Sequence, residues 1–154
     1  MGWNTSALFA RGEDPLALLS VTATATGALA TSEEATSGLA HDVVFVARDQ
    51  EWQQLWDPEM LHVVDARPGR NTLTVFFSSV SSTYGFSLVN EGVKVRRAVY
   101  TNGELTVDDG EPLPIEANIP DPGSDENWVW AIIEHVTGTG YNGNRTFQVY
   151  TCPW

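Results

Sequence analysis

The sequence predicts an α+β fold: a single globular domain with a mainly antiparallel sheet of five to seven strands and helices packed on it. Three observations carry that reading. At 154 residues the chain has the length of one domain. From Asn71 to Val107, apolar and aromatic residues alternate with polar ones between turn signals at intervals of about ten residues, the mark of an antiparallel meander. Around 125–137, Val129, Ile132, Ile133 and Val136 recur at helical spacing behind a capping sequence.

Taken in order, Trp3 to Ala10 is short, partly alternating and closed by Arg11-Gly12, which suits a first strand. Asp14-Pro15 opens a helix, with Asp as N-cap, Pro in the first helical position, and Leu16, Leu18 and Leu19 as core contacts. Val21 to Thr31 has no decisive period. Ser32-Glu33-Glu34 starts a second short helix running towards Gly38, its acids in the turn where the helix dipole favours them. Val43 to Ala47 is a buried strand. Glu51 to Trp56 reads as a short helix with Trp52 and Trp56 on one face, stopped by Pro58, and Leu61 to Val64 as a returning strand.

In the meander, Leu73, Val75 and Phe77 share a face, followed by Tyr84, Phe86 and Leu88, with Val93, Val95 and Val99 continuing the pattern. Asn90-Glu91-Gly92 and Thr101-Asn102-Gly103 supply the turns, because Asn and Gly accept positive φ. Glu111 to Gly123, with four prolines, is a loop. Ser124-Asp125-Glu126 then starts the C-terminal helix, and Thr146 to Tyr150 is a closing strand.

Charge bounds the partners. Eight Lys and Arg against twenty Asp and Glu give a net charge of -12. That is the wrong sign for nucleic acid or an anionic membrane, so neither is expected as a ligand. The single cysteine, Cys152, forms no intramolecular disulfide and suits a reducing compartment. Pro15 to Ala30 is fairly apolar but follows Glu13-Asp14 rather than a basic region, so it does not read as a secretory signal, and a cytoplasmic location is expected. Met1-Gly2-Trp3-Asn4-Thr5-Ser6 matches a myristoylation pattern, with no polybasic segment to reinforce it.

No motif assigns a catalytic, metal-ligating or cofactor-binding residue. His41, His62 and His135 are scattered, and the serine-rich run Ser78 to Thr83 lacks a nucleophile elbow. Gly138-Thr139-Gly140-Tyr141-Asn142-Gly143 spells a dinucleotide fingerprint in reverse context, after a helix and before a strand, so it reads as a helix stop and turn. Two clusters remain. From Ala98 to Asn144 there are nine acids and no Lys or Arg, densest at Asp108, Asp109, Glu111 and Glu116. Arg96 and Arg97 are adjacent in one strand, so one of them points to the inner side of the sheet, where it needs a carboxylate; Glu111 and Glu116 are the expected partners. Trp128 and Trp130 face different sides of their helix, which puts one of them, Trp130 in our reading, near the surface as a contact residue.

Met1-Gly2, Asp14-Pro15 and above all Ser79 through Glu116 resemble a family of uncharacterised actinobacterial proteins. The pattern begins Met-Gly-x-x-Thr and later carries an aromatic strand, a Gly-x-x-x-Arg hairpin and a Gly-Glu-Pro-Leu-Pro-x-Glu segment, matched here by Gly92 to Arg96 and Gly110 to Glu116. The match covers about half the chain in pieces, departing at Asn4, where lysine is usual, and in a shorter middle. The resemblance implies a bacterial cytoplasmic protein and carries no mechanism. The expectation is therefore a non-enzymatic acidic protein, without cofactor, that binds a basic macromolecular partner. The alternatives are a small hydrolase or ligand-binding enzyme joining Asp108, Asp109, Glu111 or Glu116 to His62 or His135, and a phosphate-array mimic that blocks a nucleic-acid-binding protein.

Overall fold

The computed structural model describes residues 3–152, so the Met1-Gly2 start of the family resemblance and of the myristoylation pattern lies outside the described residues. Nine strands join one antiparallel sheet, more than the five to seven expected, and the helical content is small. In chain order the strands are β1 (Asn4–Arg11), β2 (Thr24–Thr31), β3 (Val43–Ala47), β4 (Trp52–Asp57), β5 (Thr72–Ser78), β6 (Thr83–Asn90), β7 (Val93–Thr101), β8 (Glu104–Gly110) and β9 (Thr146–Thr151). The helices are α1 (Ser32–Thr36) and α2 (Glu126–Thr137), with 3-10 turns at Pro15–Leu18 and Pro114–Asn118. Across the sheet the order is β2-β9-β3-β4-β1-β5-β6-β7-β8, so β2 and β8 are its edges.

The two extra strands come from segments with degenerate patterns. Glu51 to Trp56, expected as a helix, is β4: a spacing of four returns a side chain to the same side in a strand as well as in a helix. Trp52, Gln54 and Trp56 share one side and Leu55 takes the other, and Trp56 Nε1–H donates to Gln54 Oε1 two residues away at 3.0 Å. Val21 to Thr31, left undecided above, supplies the edge strand β2, whose register with β9 breaks between Ala25 and Leu29. In the other direction, Leu61 to Val64 is a turn segment rather than a strand, and Asp14-Pro15 opens only one 3-10 turn, capped by Leu16 N–H donating to Asp14 Oδ1 at 3.1 Å.

Two cores result, one on each side of the sheet. On the first, Phe9, Phe45, Trp56, Leu73, Val75, Phe77 and Phe86 pack under Trp128, Val129, Ile132 and Ile133 of α2. Asp125 caps α2 through Asn127 N–H, and Gly138, at φ 81°, ends it in the left-handed conformation that glycine adopts without strain. On the second side, Leu8, Ala10, Val44, Val46, Leu55 and Cys152 are covered by Leu18, Leu19 and Val63. That cover ends at β1. Beyond it, the second side of β5 to β8 is left open.

Candidate functional site

The open side forms a groove of about 450 Å³, floored by β5, β6 and β7 and walled by residues 63–68. Its size lies within the range of small-molecule sites, roughly 300–1,000 Å³. Strand register makes three rows across the floor. Phe76, Gly85 and Val99 stand opposite one another as an apolar row. Thr74, Ser87, Arg97 and Asp109 follow as a polar row. Thr72, Val89 and Lys94 make the third, where the β6–β7 register shifts and both Lys94 and Val95 line the groove. Val63, Val64, Ala66, Arg67 and Pro68 close the side.

The wall is held by a buried acid. Asp57 Oδ2 accepts from the backbone N–H groups of His62, at 2.6 Å, and Val63, at 3.0 Å, which fixes the chain as it leaves β4. At the other end of the wall, Arg67 donates to the Ala17 carbonyl at 2.6 Å.

The cations distinguish this groove. Five of the eight Lys and Arg contact a carboxylate: Arg11 with Glu51 and Glu91, Arg48 with Asp14, Arg70 with Glu91, Arg96 with Asp108 and Glu116, and Arg145 with Asp49. Arg67, Lys94 and Arg97 have no carboxylate within ion-pair distance among the described residues, and all three line the groove. Asp109 stands opposite Arg97 in register without forming an ion pair with it.

The other singled-out residues divide across the sheet. Arg96 points to the helix side, where its guanidinium meets Glu116 at 2.8 Å and also contacts Asp108. The Glu116 hydrogen bonds raise the Arg96 pKa above the ordinary guanidinium value, with burial opposing. Glu116 also accepts from Leu113 N–H at 2.5 Å, so the pair ties the proline loop to β7. Asp108 and Asp109, neighbours in β8, face opposite sides, and Glu111 is exposed beyond the end of that strand. The acid-rich stretch is thus an edge strand plus a loop, with two of its carboxylates engaged by Arg96. Trp130 is half-buried on the helix side, within 6 Å of the rings of Trp3, Trp56, Phe77 and Tyr141.

The histidines lie elsewhere. His41 Nδ1 is 2.7 Å from Glu59, whose hydrogen bond raises the imidazole pKa, and none of the groove-lining residues is a histidine or a cysteine. Among the described residues no group of three or more His, Cys, Asp and Glu is placed to hold a metal ion. No helix among them is long and apolar enough to cross a membrane.

Sequence reasoning placed Arg97 among the candidates but missed Lys94 and Arg67, and it missed the groove. The available signal was parity: Val95, Arg97 and Val99 alternate with Arg96, Ala98 and Tyr100, and only one set can face α2. Compared with models of protein families, with curated proteins and with solved structures, the chain finds no match.

Proposed function

We propose that this is a non-enzymatic binding protein whose groove holds a small amphipathic organic anion. The observation that carries the reading is the convergence of Arg67, Lys94 and Arg97, the three cations without a carboxylate among the described residues, on one concave surface. An anionic head group supplies the charge that Arg97 and Lys94 lack, while Ser87 and Thr74 offer hydroxyls beside it. Phe76, Val99 and Val89 on the floor, with Val63 and Val64 on the wall, take an apolar body. Hydroxyl, apolar and cationic side chains in this arrangement perform recognition. The test is amide chemical-shift mapping with decanoate: perturbations centred on 72–76, 85–89 and 94–99 support the site, and perturbations centred on α2 or absent altogether count against it.

The edge of the sheet favours a second reading. Glu104, Asp109 and Glu111 are exposed along and just beyond β8. Such carboxylates guard an edge against self-pairing and attract a basic partner, the kind of ligand anticipated from charge. Capture of a basic protein that is released by moderate salt and lost in a Glu104→Gln, Asp109→Asn, Glu111→Gln variant would support it; capture unaffected by that variant would remove it.

A further inference from the structure

The groove carries a local charge opposite in sign to the rest of the molecule. Arg67, Lys94 and Arg97 line it, and among the described residues Asp109 is the one carboxylate that does, a surplus of two positive charges in a chain of net charge -12. Arg96 also lines it, but Asp108 and Glu116 answer its charge. Arg67 directs one of its five N–H groups to the Ala17 carbonyl at 2.6 Å, a neutral acceptor that leaves the guanidinium charge uncompensated.

These cations also come from different directions. Arg97 stands opposite Ser87 and Lys94 opposite Val89, two positions further along β6, so the two floor cations are rooted about 7 Å apart. Arg67 belongs to the wall. A carboxylate is planar and singly charged, so pairing with one guanidinium leaves the other cations unanswered. A phosphate monoester brings close to two negative charges and three acceptor oxygens that point apart, which lets it accept from floor and wall together. We propose that the groove selects a phosphate monoester dianion on an aliphatic body over a carboxylate or any singly charged head group. The net charge of -12 opposes approach to an anionic bilayer, so the ligand is a free molecule rather than a membrane headgroup. The inference rests on the reading of the groove as an anion site and adds the charge and class of the head group.

The test is calorimetric titration of the full chain with decyl phosphate, decyl sulfate and decanoate as monomers. Phosphate and sulfate esters share a tetrahedral head and differ by one charge at pH 8. Decyl phosphate should bind about three- to tenfold more tightly than decyl sulfate there, the scale of one solvent-screened charge. The advantage should vanish at pH 5, where the phosphate keeps its second proton. Neither histidine nor cysteine lines the groove, and decyl sulfate titrated at both pH values reports any change in the protein itself. Lys94→Gln should lower the phosphate affinity by roughly the square of the factor lost by sulfate, because a dianion feels the missing charge twice. Equal affinities at pH 8, or an advantage that persists at pH 5, would overturn the inference and leave the anion site standing; no saturable binding of any probe would defeat both. Displacement of decyl phosphate by an equal concentration of inorganic phosphate would remove the aliphatic body from the assignment. Pelleting of the chain with phosphatidylcholine vesicles containing one fifth phosphatidate would overturn the free-molecule source.

Discussion

The guanidinium of Arg96 and the carboxylate of Glu116 meet at 2.8 Å with their side chains 1% and 9% exposed, and this contact fastens the proline loop to the sheet. Removing Arg96 strands the Glu116 carboxylate away from water, whereas removing Glu116 leaves Arg96 with Asp108 as its remaining carboxylate. Arg96→Met should cost about 3–5 kcal/mol in urea unfolding, the range for breaking a buried pair, whereas Arg96→Met with Glu116→Leu should recover much of that loss. A loss in the double variant equal to the sum of the Arg96→Met and Glu116→Leu losses would show that the pair is not coupled.

Asp57 acts on the groove from a distance. Asp57→Ala frees the His62 and Val63 amides and loosens the wall. Limited proteolysis between 59 and 68 should accelerate at least several-fold, with a parallel loss of groove affinity. Unchanged cleavage would mean that Val63 packing and the Arg67 bonds to Ala17 and Leu18 hold the segment without Asp57.

Gly85 lets Phe76 lie across the floor. A Cβ at this position would come within 2.6 Å of the Phe76 ring. Gly85→Ala should therefore destabilise the fold by about 1–3 kcal/mol and reshape the apolar row. Double substitution with Phe76→Leu should restore stability but not groove affinity, as read by thermal unfolding and ligand titration.

The fold was legible wherever one periodicity excluded the other. The meander and α2 met that condition, since Leu73, Val75 and Phe77 cannot share a helix face, nor Val129, Ile132 and Ile133 a strand face. Trp52 and Trp56 did not meet it, because four residues fit both periods. The site was harder to read. Arg96 and Arg97 were legible as a split pair from parity alone, yet which of them faced α2 depended on the register Phe86 to Ala98, a long-range property. Lys94 and Arg67 reach the groove through a register shift and a non-repetitive wall, and neither leaves a periodic trace.

Cys152 should behave as an inert thiol. Burial pushes its pKa up from 9.0 to about 11, so the protonated form is favoured in the folded state. Its contribution to stability is complete below pH 9 and is lost as the pH rises towards about 11, because only the unfolded chain ionises readily in that window. Alkylation at pH 8 should track unfolding. Rapid modification of the folded protein would contradict this assignment.

Asp109 faces the groove opposite Arg97 and opposes an incoming anion. Asp109→Asn should tighten binding of decanoate about two- to tenfold, the scale of one solvent-screened charge at close range. Weaker binding would place Asp109 among the ligand's own contacts.

Titration calorimetry with dodecanoate and dodecylamine bears most directly on the groove. The two probes share an apolar chain and differ in the sign of the head group. The wild-type chain should bind dodecanoate saturably, one per molecule, and dodecylamine at least tenfold more weakly despite the net charge of -12, and Lys94→Ala with Arg97→Ala should erase the preference. Preference for the amine, or a dodecanoate affinity indifferent to both substitutions, would contradict an anion site in the groove.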